Sequence, residues 1–310
     1  MFPSHDQVQY VETKDVKKKN PVFKPIRLMT IQTLASLQKN GLLDIVVSDV
    51  DALFSDEFHH AGSKSYTDLL AGLDHVYYRF GFTGTFLRND NKTLDMWGVL
   101  SNKLYSYPAW KAIEEGFLTP VKVLVHTLQG SGSRNYQKEY KMNYCRERED
   151  GGEELLFRIK HIVQDFAKTD DQILILVNRK DAVGKIIHKY LDAEGVDNTY
   201  ISGDDTKEHI QQSIVDFNDK KIRVLIGSSV IGEGIDIRST DHLIMAQGGK
   251  SEIAIVQASG RAVRLYEGKE VAYIHDFRFI GTKYMEKHLG QRIDIYKNNF
   301  DPEIIEVDAA

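Results

Sequence analysis

From Asp171 onward the sequence alternates short, wholly apolar runs with longer stretches whose apolar residues recur every three or four positions, a pattern few folds accept. The runs are ILILV (173–177), TYIS (199–202), RVLIG (223–227), HLIMA (242–246) and VAYIHD (271–276). A run that is apolar at nearly every position suits a strand buried on both faces, as strands of parallel sheets are. The intervening DAVGKIIHKYLDAEG, TKEHIQQSIVDFND and SEIAIVQASGRAVRL carry helical spacing. Strand and helix in regular alternation predict an α/β fold built on a mostly parallel, doubly wound sheet.

Ahead of this region the pattern thins. A strand over Ile26–Thr30, a helix from Ile31 and short strands near Ala52–Ser55 and Tyr77–Gly81 are too few for a complete α/β domain before FLTPVKVLV is reached. The polar, charged stretch 129–152, QGSGSRNYQKEYKMNYCREREDGG, reads as an interdomain connection or exposed insertion. The expected division is therefore a partial domain over 1–128, a linker over 129–152, a second α/β domain over 153–282 and an amphipathic helical tail over 283–310.

The 310 residues are 42% apolar and 27% charged, as in a soluble globular protein long enough for two domains. No apolar run reaches membrane-spanning length, and the first residues lack the apolar core of a signal peptide, so a cytoplasmic protein without a membrane partner is expected. The single cysteine, Cys145, excludes a disulfide framework and a cysteine-based zinc site. A net charge of −5 does not advertise nucleic-acid binding, yet a basic stripe on one face would suffice for it.

Chemistry concentrates in three places. VVSDVDALFSDEFHHAG (46–62) holds two acidic signatures. Asp49 and Asp51 fit a haloacid-dehalogenase-type phosphatase, which needs a strand over 44–48, whereas Asp56, Glu57 and His59 need the strand at about 51–55. GSSVIGEGIDI (227–237) places Ser228, Gly234 and Asp236 in a small-residue loop after a strand, where backbone amides reach a phosphate and Asp236 a ribose hydroxyl or an arginine. QASGRAVR (257–264) sets Arg261 and Arg264 three residues apart on one helical face, and two guanidiniums so placed grip phosphate oxygens.

Together these stretches resemble the superfamily 2 helicases. GSSVIGEGID is similar to their motif V, QASGRAVR to the Gln-x-x-Gly-Arg-x-x-Arg of motif VI, DEFH (56–59) to motif II, FTGT (82–85) to motif III and MTIQTL (29–34) to motif Ib. ILILVNR and TYISGD stand in the places of motifs IV and IVa, and the wording after motif III and around motif VI resembles the XPB/UvsW-like branch, of phage or bacterial branch-migration type. The resemblance implies two RecA-like domains with ATP hydrolysed between them. It implies that Asp56 binds Mg²⁺, that Glu57 polarises the attacking water, and that His59 couples motif II to Thr83 and Thr85. Arg261 and Arg264 become arginine fingers, Gly234, Asp236 and Gln257 face the nucleotide, and Thr30, Gln32, Ser202, Gly203 and Ser228 contact the tracked DNA or RNA strand.

One motif is missing. Nowhere does the sequence contain G-x-x-x-x-G-K-[ST], the loop whose amides and lysine cradle the β- and γ-phosphates. IMAQGGKS (244–251) comes nearest, but Ile244 stands where the first glycine belongs. A first domain truncated at its N-terminus and weak ATP turnover by this chain alone are the expectations that follow, the P-loop belonging either to a longer helicase of which this is a fragment or to a companion polypeptide. A non-catalytic helicase remnant that binds nucleic acid or a partner is the alternative.

Overall fold

The computed structural model describes residues 5–58, 64–73, 75–84, 103–145, 152–166, 169–178, 183–228 and 236–308. They form two compact units, divided between Ser106 and Tyr107.

The first unit is small and assembled around helices. β1 (Val8–Tyr10) pairs in parallel with β2 (Ile26–Leu28), and a short α1 (Thr13–Val16) lies between them in sequence. α2 (Ile31–Lys39) starts at Thr30, whose hydroxyl accepts from the Thr33 amide, and it buries Leu34 and Leu37. α3 (Leu43–Val47) follows, then β3 (Ala52–Ser55), α4 (Lys64–Ala71) and β4 (Tyr78–Gly81), with β3 and β4 parallel and in register from Ala52↔Tyr78 to Ser55↔Gly81. Leu34, Leu37, Val46, Phe58, Leu69 and Leu73 make the core.

The second unit carries the sheet foreseen from the apolar runs. Its elements are α5 (Ala109–Glu114), β5 (Val121–Gln129), α6 (Tyr136–Tyr144), α7 (Glu153–Asp165), β6 (Ile173–Val177), α8 (Lys185–Ala193), β7 (Thr199–Ile201), α9 (Lys207–Asn218), β8 (Val224–Gly227), β9 (His242–Ala246), α10 (Glu252–Ala262), β10 (Ala272–Ile280), α11 (Tyr284–Phe300) and β11 (Glu303–Val307). Seven parallel strands run in the order β11-β5-β10-β9-β6-β8-β7. Alternate residues feed two cores: Ile173, Ile175, Val224, Ile226 and Ile244 face one, while Leu174, Leu176, Leu225, Leu243 and Met245 face the other. Helices on both faces explain why every residue of β6, β8 and β9 is buried.

Two expected boundaries are corrected. The first unit ends at 106 and not at 128, because FLTPVKVLV contributes β5, an inner strand flanked by β10 and β11. Nor is 129–152 a simple linker. Within it α6 buries Tyr140, Tyr144 and the wholly enclosed Glu139, whose carboxylate accepts from the amides of Ser133, Lys283, Tyr284 and Met285 and so caps α11. Those bonds hold the Glu139 carboxyl below the usual carboxylate range although burial opposes them. The tail is likewise part of the unit: Arg292 of α11 makes a bidentate buried pair with Asp276 of β10, donates to Gly249 O at 2.8 Å, and β11 forms the edge of the sheet.

Candidate nucleotide and nucleic-acid site

In the first unit the strand lies where motif II requires it. Residues 43–47 are helical, so the phosphatase alternative loses the strand that Asp49 would have capped. Asp49 instead makes a bidentate pair with Arg27, both bonds at 2.6 Å, and that guanidinium holds its carboxyl low. Asp51 is exposed, with its carbonyl accepting from the Tyr78 amide.

Asp56 and Glu57 follow the carboxyl end of β3, and Thr83 follows the carboxyl end of its neighbour β4. Parallel pairing brings these ends side by side: Phe82 donates to Ser55 O at 2.8 Å and Phe58 to Phe82 O at 2.9 Å. Asp56 is exposed and accepts from the Glu57 amide at 2.8 Å. Glu57 takes φ +46°, a left-handed conformation costing a non-glycine residue about 1–2 kcal/mol. The turn is thereby sharp, and both acidic side chains stand at the strand's end. No group of three or more acidic, histidine or cysteine side chains among the described residues could cage a metal. Asp56 suits a magnesium ion that keeps most of its shell in water and phosphate. Thr30 and Gln32 are exposed at the N-terminus of α2, the end at which a helix favours negative charge. His59 and Thr85 lie outside the described residues.

The second unit gathers its candidates at two edges. At the carboxyl edge, Ser202 and Ser228 follow the adjacent strands β7 and β8, whose last partners are Ile201 and Gly227. Ser202 is buried and held by Asp205, which accepts from its amide at 2.7 Å and its hydroxyl at 3.2 Å, leaving Gly203 exposed on the turn. At the amino edge, Thr119, just before β5, donates its amide to Val263 O at 2.8 Å and so locates the end of α10. There Arg264 pairs with Asp236 and donates to Ile237 O at 3.2 Å. Arg238 also binds Asp236, with Nε at 2.5 Å, and Arg238 first and Arg264 second hold that carboxyl below its ordinary range. Arg261 is nine-tenths buried and donates to Gln257 O at 3.0 Å.

Arg261 and Arg264 do not share a helical face as expected, because α10 ends at Ala262 with Val263 as its cap. Arg264 leaves the helix and turns to Asp236. Gly234 lies outside the described residues. Sequence reasoning missed Arg238, Asn218 and Lys269. Asn218 accepts from the Arg238 amide and donates to Asp236 O, both at 2.9 Å. The spacing Asp236-x-Arg238 was the available signal for one of them.

Two family models match the chain in order: "Type III restriction enzyme, res subunit" over residues 2–88 and "Helicase conserved C-terminal domain" over residues 155–266. The ATP-dependent DNA helicase uvsW of enterobacteria phage T4 is 23% identical over 310 residues, covering 92% of this chain, and the chain spans 58% of that relative's length. Among solved structures, Saccharomyces cerevisiae Dbp5 bound to RNA and ADP BeF3 superposes with a TM-score of 0.61 at 15% identity, over 97% of this chain and 70% of that one. The Mycobacterium smegmatis helicase Lhr bound to ssDNA and AMP-PNP gives 0.61 at 15%, over 98% and 38%. No helix among the described residues is long and apolar enough to cross a membrane. A RecA-like α/β fold, two helicase models in sequence order and motif carboxylates and arginines at strand and helix ends lead to one assignment: the chain belongs to the superfamily 2 helicases.

Proposed function

We propose that the chain supplies the part from motif Ib to motif VI of an ATP-dependent DNA helicase or translocase acting in recombination, repair or replication, by branch migration or unwinding. The observation that carries this reading is the Asp236–Arg264 pair at the end of the helix that carries Gln257 and Arg261. It holds a guanidinium at the end of α10 by a carboxylate that a nucleotide phosphate can displace, freeing that carboxylate to accept from a ribose hydroxyl. Asp56 would bind Mg²⁺ and Glu57 would orient the attacking water, while Thr83 would relay the state of the nucleotide. The carboxyl-edge residues Ser202, Gly203 and Ser228, with Thr30 and Gln32, suit backbone contacts that ignore sequence. DNA is the proposed strand, RNA the alternative, and the cytoplasm of a bacterium or phage-infected cell the proposed location.

Because the sequence contains no P-loop, the chain alone is expected to turn ATP over slowly and to need motif I supplied from outside these residues. The test measures DNA-stimulated phosphate release by the purified chain and by Glu57→Gln. Robust activity lost in Glu57→Gln would refute the expected weakness. Absence of salt-sensitive DNA binding would refute the helicase role itself. The missing P-loop also favours a second reading, a non-catalytic nucleic-acid- or partner-binding protein. Salt-sensitive DNA binding that persists without any ATPase activity, even beside a P-loop-bearing polypeptide, would select it.

A further inference from the structure

The end of α10 is held by a lysine that no helicase motif includes. Tyr266–Lys269 is a tight turn, closed by the Lys269 amide donating to Tyr266 O at 3.2 Å, with Gly268 at φ +86°. A residue with a Cβ would be strained there, and this conformation folds Lys269 back under the helix it follows. Its ammonium donates to Thr240 O at 2.5 Å, to Ala262 O and to Arg264 O at 3.3 Å. Ala262 is the last residue of α10, so its carbonyl is one that a helix end leaves without a partner, at the negative pole of the dipole, and Arg264 follows just past the cap Val263. The third acceptor belongs to the strand lead-in that follows Asp236 and Ile237. One cation therefore bridges the two segments whose side chains meet in the Asp236–Arg264 pair.

We propose that Lys269 is a positioning residue, which by joining Thr240 to the last carbonyl of α10 and to that of Arg264 just beyond it fixes the Arg264 guanidinium against Asp236. The inference rests on the reading of Arg264 as a nucleotide-facing group and extends it to a residue outside the motif. Three neighbours make the tie stiff. Tyr266 donates its hydroxyl to Asp241, and its ring lies 5.3 Å from the Lys269 ammonium. Asp241 accepts the Gln172 amide at 2.8 Å, anchoring the arrangement to the start of β6. Thr119 adds a hydroxyl bond to Arg264 O at 3.3 Å.

Burial pushes the Lys269 amine down to about 8, with Asp241 pulling in the opposite direction. The other charged or titratable groups facing it are Tyr266, Arg264, His242 and Lys220, whose ammonium lies 5.3 Å from the far partner, the same Tyr266 ring. A lysine whose folded pKa is depressed is fully charged below that value and loses its charge as pH rises through it, so the tie should weaken above about pH 8.

The test is a carbon-detected guanidinium spectrum of the full chain with labelled arginine, Arg264 being assigned from Arg264→Lys. A restrained guanidinium shows two separate Nη signals and a free one a single averaged signal. Wild type and Lys269→Arg are expected to show two signals at pH 6.5, and Lys269→Met one. Raising the pH through 8 should merge the pair in wild type and leave it separate in Lys269→Arg. Two signals retained in Lys269→Met, one signal in wild type at pH 6.5, or identical pH profiles for wild type and Lys269→Arg would each overturn the proposal. The wild-type and Lys269→Arg profiles suffice if Lys269→Met does not fold. Since no nucleotide is present, this outcome is separate from that of the ATPase and DNA-binding assays.

Discussion

β3 in the first unit and β9 in the second are both parallel strands, yet they live in different surroundings. All of β9 is buried, between β10 and β6 and beneath helices on both faces. β3 has one described neighbour, and only Leu53, Ser55 and the following Phe58 turn toward a core. Its other face carries Phe54, 63% exposed, stacked on Phe80 at 5.2 Å and on the 56% exposed Phe82 at 6.2 Å. The lesson concerns support for chemistry. Arg261 is buried at the end of a helix that packs on a broad sheet, whereas Asp56 and Glu57 follow a strand that, among the described residues, packs on one face.

The contrast can be broken at several points. The largest effect should come from Arg292→Met, which strands Asp276, fully buried and otherwise bonded to Tyr296 at 3.0 Å. Leaving one partner of a buried pair uncompensated costs about 3–5 kcal/mol. Urea unfolding should show that loss in the second unit's transition alone. Next, Ile175→Ala should cost about 2–5 kcal/mol by opening a cavity, while Phe54→Ser, on the same kind of strand in the first unit, should stay within about 0.5 kcal/mol. Equal losses at the two positions would erase the comparison.

A third effect is confined to the second unit and depends on pH. His126, His275 and His242 lie in a buried row across β5, β10 and β9, joined at 2.9 and 3.0 Å, and His242 meets Asp171 at 3.4 Å. If each Nε2–H donates along the row toward Asp171, all three rings are neutral and every link is satisfied. Burial pushes His126 down to about 4 and lowers the other two. The unfolded chain then binds more protons than the folded one between about pH 6.5 and 4, so this stability is complete above 6.5 and lost as pH falls. His126 should remove up to about 1.4 kcal/mol per pH unit in that window, and the other two act in the same direction. Acid titration of His126→Gln should flatten the slope. The smallest effect is Asp49→Asn, which removes a mostly exposed partner of Arg27 and should cost at most about 1 kcal/mol in thermal unfolding.

What was legible in the sequence follows the same physics. Strands such as 173–177 and 242–246 announced themselves because two-sided burial forces apolar residues at every position. The strand before Asp56 was legible through its motif and not through its pattern. α6 was hidden, since its key buried residue is a carboxylate, three of whose four amide partners lie 144 or more positions away. The end of α10 was equally unreadable: the cation that satisfies its last carbonyl comes from beyond a turn, and nothing in QASGRAVR marks where the helix stops.

The place of β5 in the sheet has a consequence for biosynthesis. This strand, residues 121–129, is flanked only by β10 and β11, which a ribosome makes some 140 to 180 residues later. A vectorially emerging chain thus presents Val121, Val123 and Val125 without either partner until β10 and β11 appear. Such delayed, long-range pairing exposes apolar surface during synthesis. Chaperone capture of nascent chains stalled before β10, and its release once β11 has emerged, would be the cellular trace of that strand order.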